Sequence, residues 1–226
     1  MLLVGALGSL AAFLWLAGLA ARGHWFAVDQ TTRDAVALLR DSRLDAGMQA
    51  LTVLGHGPAL TALTVLASLL LWHAARRWWA LALPGVMAGT GALQFLAKWA
   101  VDRPRPNLAP WGFPSGHVLS LVVFFGLVAY WLCTSAIKQY WQVAGGVGGA
   151  GIVLAVAFSR LYLEAHWLSD VVAGFLLGLA YLFLVLWLSQ RLQLRQAGLI
   201  AAAPASPAGT AALSTTHTEG IAQTSA

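Results

Sequence analysis

The stretch Val171-Val-Ala-Gly-Phe-Leu-Leu-Gly-Leu-Ala-Tyr-Leu-Phe-Leu-Val-Leu-Trp-Leu-Ser-Gln190 contains no Asp, Glu, Lys or Arg. About 20 apolar residues are what a helix needs to cross the hydrocarbon core of a bilayer. Outward from it, five more charge-free runs appear: Met1–Ala21, Ala46–Ala75, Trp78–Ala97, Asn107–Ile137 and Gln139–Ser159. Six spans are expected, near Leu2–Ala21, Pro58–Ala75, Trp78–Ala97, His117–Ser135, Val143–Leu161 and Trp167–Ser189. The first run is long and lacks the basic start of a signal peptide, so it reads as a true span. Trp and Tyr residues near many run ends suit headgroup depth. The predicted fold class is all-α, a polytopic bundle of six transmembrane helices.

Composition agrees. Of 226 residues, 59% are apolar and 9% charged, against roughly 25% charged in soluble domains. Too few charges exist to cover a water-facing surface, which excludes an ordinary soluble enzyme. The single cysteine, Cys133, excludes a disulfide framework and a cysteine-based zinc site. Thirteen basic residues against eight acidic ones are scattered between apolar runs, so no nucleic-acid partner is expected. One membrane domain is expected over 1–196. The Ala-, Ser-, Thr-, Pro- and Gly-rich stretch 197–226 has the composition of a disordered tail.

Between the first two spans, Val36, Leu39, Leu44, Met48, Leu51 and Leu54 recur at helical spacing among charges. That pattern predicts an amphipathic interfacial segment over about 28–54. Gly145, Gly146, Gly148, Gly149 and Gly151, inside the fifth span, predict close helix packing rather than phosphate binding. Alternating spans sort the loops into two sets. Arg76, Arg77, Lys138, Arg191 and Arg195 lie in one set without neighbouring acids, which makes it cytoplasmic together with both termini. The location expected is a bacterial inner membrane.

Three polar clusters fall in the opposite set, where charge needs an explanation. They are Lys98-Trp-Ala-Val-Asp-Arg-Pro-Arg105-Pro106, then Pro114-Ser115-Gly116-His117, then Ser159-Arg160 through His166 to Asp170. Alternation brings all three to one membrane face, the expected extracytoplasmic one. Lys98, Arg105 and Arg160 supply positive charge, two of them as planar forks suited to oxyanions. Ser115 and Gly116 stand where the fourth span begins, and helix N-termini favour anions. A phosphate is the natural ligand. His166 and Asp170 share a helical face four residues apart, so the carboxylate can orient the imidazole as a nucleophile or general base. His117 can then serve a leaving group as acid. Three cations beside His117, His166 and Asp170 would repel a metal ion, so neither metal nor other cofactor is expected. His24, His56, His73 and His217 have no comparable partners in sequence and read as non-catalytic.

These motifs resemble the type 2 phosphatidic acid phosphatase superfamily, whose pattern is Lys-x6-Arg-Pro, Pro-Ser-Gly-His and Ser-Arg-x5-His-x3-Asp. Each position of it is present between Lys98 and Asp170. Pro-Ser-Gly-His alone would arise by chance at about one position in 160,000, which makes the ordered set specific. The resemblance implies a membrane lipid phosphatase with one interfacial active site. It assigns His166 as the nucleophile that forms a phosphohistidine, Asp170 as its orienting carboxylate and His117 as the acid. Lys98, Arg105, Ser115, Gly116 and Arg160 would hold the phosphoryl oxygens.

The implied partners are a lipid phosphate and the surrounding membrane lipids, with phosphatidate, phosphatidylglycerophosphate and undecaprenyl diphosphate as candidate classes. The oligomeric state is not fixed. Two other functions share the pocket chemistry. A vanadate-dependent haloperoxidase is typically soluble, which the spans oppose. A protein that only binds or transports lipid phosphates has no need of both an acid and a nucleophile. Glu164, at a variable position of the third motif, either restricts substrates or faces outward.

Overall fold

The computed structural model describes residues 1–23 and 26–202, with side chains through residue 194. His24, Trp25 and His217, and the tail beyond Ala202, lie outside the described residues. Eight helices follow in order: α1 Leu2–Ala21, α2 Ala27–Ala37, α3 Ser42–Val53, α4 Gly57–His73, α5 Arg77–Ala100, α6 Gly116–Cys133, α7 Gln139–Tyr162 and α8 Leu168–Ala202. The chain divides into two compact units, Met1–Trp187 and Leu188–Ala226. The first holds the bundle and every motif. The second contains the last turns of α8, which stay helical to Ala202, beyond the start expected for the tail.

Helices α1, α5, α6, α7 and residues Leu168–Leu194 of α8 are each long and apolar enough to cross a membrane. The second expected span is different. Helices α3 and α4 reach the required length and hydropathy only together, bent by 51° at their junction. The amphipathic segment is thus not one interfacial helix over 28–54. It breaks after α2, where Asp41 takes an extended conformation and its carboxylate accepts the Arg43 N–H at 2.7 Å, capping α3. Helix α3 then runs into the bent pair, and Pro58 stands in the first turn of α4, where its missing N–H costs no bond.

Helix α6 is the hub. Leu119 packs with Phe13, Leu16 and Ala17 of α1 and with Ala173 and Leu177 of α8. Val123, Leu127 and Trp131 meet Leu83 of α5 and Leu182 of α8. Val118, Leu121 and Val122 meet Val153, Val156 and Ala157 of α7. Because α6 touches partners on every side, 56% of its span is buried, the largest share among the spans. A helix apolar all round belongs in such a place. On the other helices Val4, Leu7, Leu66, Leu70, Val147 and Leu154 point outward. Outward apolar side chains of that number suit lipid, not water.

Close approach follows from small residues. A Cβ on Gly174 would lie 2.6 Å from the Ser115 carbonyl oxygen, and one on Gly178 would lie 3.1 Å from that of Leu119. Helix α8 therefore rides against the start of α6, which carries the second motif. In α7, Gly145 and Gly149 face Leu132 and Phe125 of α6 as expected, whereas a Cβ on Gly146, Gly148 or Gly151 would meet nothing within 4 Å.

Candidate active site

Each motif ends a span or starts one, and the helices deliver them to one end of the bundle. Lys98 lies in the last turn of α5, and its Nζ donates to the Trp111 carbonyl at 2.5 Å. The chain then turns back on itself. Arg105 N–H donates to Ala109 O at 2.9 Å and Gly112 N–H to Arg103 O at 2.7 Å. A Cβ on Gly112 would stand 3.0 Å from that same Arg103 oxygen, so the return is tight.

The second motif opens α6. Ser115 is the residue before the helix, and its N–H donates to the Asp170 backbone oxygen at 2.9 Å, tying the second motif to the third. Its hydroxyl makes no cap of its own helix, so both the hydroxyl and the helix start keep donor capacity. At Gly116 the missing side chain makes room for a protein group, because the Gln94 carboxamide occupies the place a Cβ would take.

The third motif straddles the end of α7 and the start of α8. Arg160 is buried and its Nη1 donates to Thr52 Oγ1 of α3 at 2.5 Å. Residues 163–167 form the turn, with Glu164 at φ 49° and the N–H groups of Ala165 and His166 both on the Arg160 carbonyl. His166 and Asp170 are fully enclosed, with Nδ1 of the imidazole 3.5 Å from Oδ2 of the carboxylate. That is ion-pair reach rather than a hydrogen bond, and the imidazole Nδ1 has no hydrogen-bond partner. The shared face read from the spacing is present, but the contact is looser than a closed pair. Burial, with Arg160 and Lys98 adding repulsion against the pull of Asp170, lowers the His166 pKa to about 4. At neutral pH the ring is neutral, the state that a nucleophile or base requires.

Coulombic contacts chain Lys98, Arg105, Arg160, His117 and His166 into one group. Among the described residues, seven buried side-chain polar atoms have no hydrogen-bond partner. Five of them are Arg105 Nε, Ser115 Oγ, His117 Nε2, Arg160 Nε and His166 Nδ1. Buried polar atoms are nearly always satisfied. Their concentration on motif residues marks a place built to receive something polar, and three guanidinium and ammonium groups make that something an anion.

Several neighbours were not legible in the motifs. Asp29 of α2, Arg103 from inside the first motif and Ser169 of α8 form a buried network with Asp170. Thr52 meets Arg160 from α3. His56, read as non-catalytic, lies edge-on to His117 with ring centroids 5.0 Å apart. Gly55 makes room for this, because a Cβ there would be 2.4 Å from the His117 ring. Glu164 neither faces outward freely nor lines the anion cluster. It pairs with Arg33 at 3.0 Å and Arg40 at 3.4 Å, and the Arg33 hydrogen bond holds its carboxyl below the usual range. The only sequence hint for Arg103 is its place within the first motif, and Asp29 gave none.

Comparison with known proteins identifies the family. The family model of the PAP2 superfamily matches residues 79–194, which contain all three motifs. Phosphatidylglycerophosphatase B of Bacillus subtilis strain 168 is 32% identical over 187 residues, covering 76% of this chain and 90% of that protein. An undecaprenyl-diphosphatase of Sulfolobus acidocaldarius is 35% identical over 95 residues, 41% of this chain and 40% of that one. The crystal structure of a transmembrane PAP2-type phosphatidylglycerolphosphate phosphatase from Bacillus subtilis superposes with a TM-score of 0.75 at 26% identity. The match covers 83% of this chain and 96% of the other. With the apolar helices of its own bundle, this makes the chain an integral membrane protein. Motifs, fold and relatives converge, and the chain belongs to the PAP2 superfamily.

Proposed function

We propose that this protein hydrolyses a lipid phosphomonoester or diphosphate at the motif end of the bundle. The observation that carries the reading is the cluster of unpartnered buried donors on Arg105, Ser115, His117, Arg160 and His166. Nε2 of His166, the nitrogen turned from Asp170, attacks phosphorus as the bond to the leaving oxygen breaks, and His117 protonates that oxygen. Lys98, Arg105, Arg160, Ser115 and the Gly116 N–H take up the charge on the equatorial oxygens. Water then attacks the phosphohistidine, breaking the P–N bond and giving up its proton to His117. Protein cations do the charge neutralisation, so a chelator leaves turnover intact. Residues 1–196 form the catalytic domain, and 197–226 a cytoplasmic tail.

The site lies where spans end, which supports a substrate anchored in the bilayer with its headgroup at that depth. The name of the Bacillus relative, similar over 90% of its length, makes phosphatidylglycerophosphate the first substrate to try, ahead of phosphatidate and undecaprenyl diphosphate. Each buried CH₂ is worth about 0.8 kcal/mol, part of it already realised in the membrane. Phosphate release by purified protein in micelles, measured for these lipids and for glycerol phosphate at matched phosphate, tests the proposal. Lipid kcat/KM is expected to exceed that of glycerol phosphate by roughly 10²-fold or more. Equal efficiencies would end the lipid reading.

The basic residues Arg76, Arg77 and Lys138, in loops without acids, support an inner-membrane orientation with both termini cytoplasmic and the site outside. In a Cys133→Ser background, Asn107→Cys is expected to label from outside intact cells and Lys138→Cys is not.

A further inference from the structure

Asp170 is held by groups other than the histidine it serves. Its Oδ2 accepts the Trp167 backbone N–H at 2.9 Å, the return half of a capping box at the start of α8. Its Oδ1 accepts Arg103 Nη1 at 3.0 Å. That same Nη1 donates to Ser169 Oγ at 2.6 Å, while Nη2 donates to Asp29 Oδ2 at 2.7 Å. Asp29 completes the circuit by accepting the Ser169 hydroxyl at 2.6 Å and the Ser169 N–H at 2.8 Å. Asp29, Arg103, Ser169 and Asp170 are all buried.

Two physical consequences follow. Trp167 precedes α8 and has no side-chain acceptor, so it cannot cap the helix in the usual way. Asp29 supplies the missing anionic cap from a different helix, fixing where the first turn of α8, and Asp170 in it, must sit. The single Arg103 guanidinium is also divided between two carboxylates. The guanidinium is therefore shared, and the position of Asp170 beside His166 depends on how Asp29 holds Arg103. The Trp167 and Phe26 rings, 5.8 and 5.5 Å from the Arg103 guanidinium carbon, hold that guanidinium in place.

We propose that Asp29, on the short helix α2, is a positioning residue that acts through Arg103 and Ser169 to hold Asp170, and with it His166, in line for attack. This gives the segment between the first two spans a part in catalysis, and it rests on the reading of His166 as nucleophile. Asp29 does not touch the substrate. Its loss lowers kcat and leaves KM nearly unchanged.

The test uses the full-length protein in micelles with the best lipid phosphate from the substrate panel. Asp29→Asn keeps the shape and an acceptor for the Ser169 N–H but removes the charge that holds Arg103. A drop in kcat of roughly 10- to 100-fold with KM within about threefold is expected, since small misplacements near a reacting atom cost that much. Asp34→Asn, the same change on the exposed side of α2, is expected to match wild type. In an Asp170→Asn background, Asp29→Asn should add little, because both act on one element. Wild-type kcat in Asp29→Asn, full additivity with Asp170→Asn, or a loss confined to KM would each overturn the proposal. If His166→Ala itself turns over like wild type, the phosphatase reading fails instead, and the two failures are told apart.

Discussion

The two ends of this bundle are built from the same helices and treat charge in opposite ways. At the motif end, Arg103, Asp29 and Asp170 are buried in one network, and Arg160 is buried against Thr52 of α3. At the other end, the turns after α4 and α6 are short. Arg76 donates to the hydroxyl and carbonyl of Thr134 and to the Ser135 hydroxyl, and Arg77 lies over the Trp72 ring. Those contacts close a loop near the water boundary and hold no second charge. Burying an ion is costly unless it is paired or serves a ligand. The far end avoids that cost by leaving its cations near solvent, whereas the motif end buries Arg103, Arg160, Asp29 and Asp170. Burial of charge where a bundle could have left it in water indicates function better than the number of charges does.

The sharpest way to break the comparison is to remove two histidines from the motif end and one arginine from the other. His166→Ala is expected to lower kcat by roughly 10⁴-fold or more, as loss of a nucleophile does. His117→Ala should cost about 10²- to 10⁴-fold for an alkyl leaving group and much less for a nitrophenyl one, which needs little protonation. Arg76→Ala should leave kcat and KM within about twofold, because solvated pairs contribute little. A comparable loss from Arg76→Ala, measured by phosphate release, would erase the distinction between the ends.

Acidity sharpens it further. The His166 pKa is lowered to about 4, so the neutral ring persists well below the range where an exposed histidine protonates. As pH falls through that value the attacking nitrogen is lost. The log of kcat/KM should therefore stay flat from this group above about pH 5 and fall with unit slope below about pH 4. An acid limb centred near 6.5 would mean that His166 is far more hydrated than its enclosure implies.

The smallest effect concerns the half-exposed rim of the motif end. Glu164 pairs with Arg33 and Arg40, whose side chains are 37% and 44% exposed. Its carboxyl is held below the usual range, so the stabilisation is present above its ordinary pKa and is lost as pH falls through the lowered one. Glu164→Gln should cost about 0.5 kcal/mol at pH 7, a fall of about 1–2 °C in Tm. The gap should close in acid. A fall of many degrees would show that this rim, rather than the buried network behind it, secures α2 to the turn after α7.

The six apolar runs and the three motifs were legible because both are local. A charge-free run of spanning length declares itself without knowing its neighbours, and the motif spacings 98 to 105 and 160 to 170 lie within single stretches. The places of Lys98, Ser115, Gly116, Arg160, His166 and Asp170 at span ends follow from that alone. Pairing across the chain was not legible. Asp29 reaches Ser169 over 140 residues of sequence, Arg160 reaches Thr52 over 108, and His56 meets His117 only because α3 and α4 bend at Gly55. In sequence, Asp29 looks like any acid on a solvated helix face. Its burial is created by α2 folding down onto α7 and the start of α8, and an amphipathic period does not say which neighbour a helix will meet. Sequence by itself determined that the chain crosses a membrane and carries three polar motifs at span ends. Tertiary structure alone decided which side chains stand behind that site, because a buried ion must find its partner wherever packing places one.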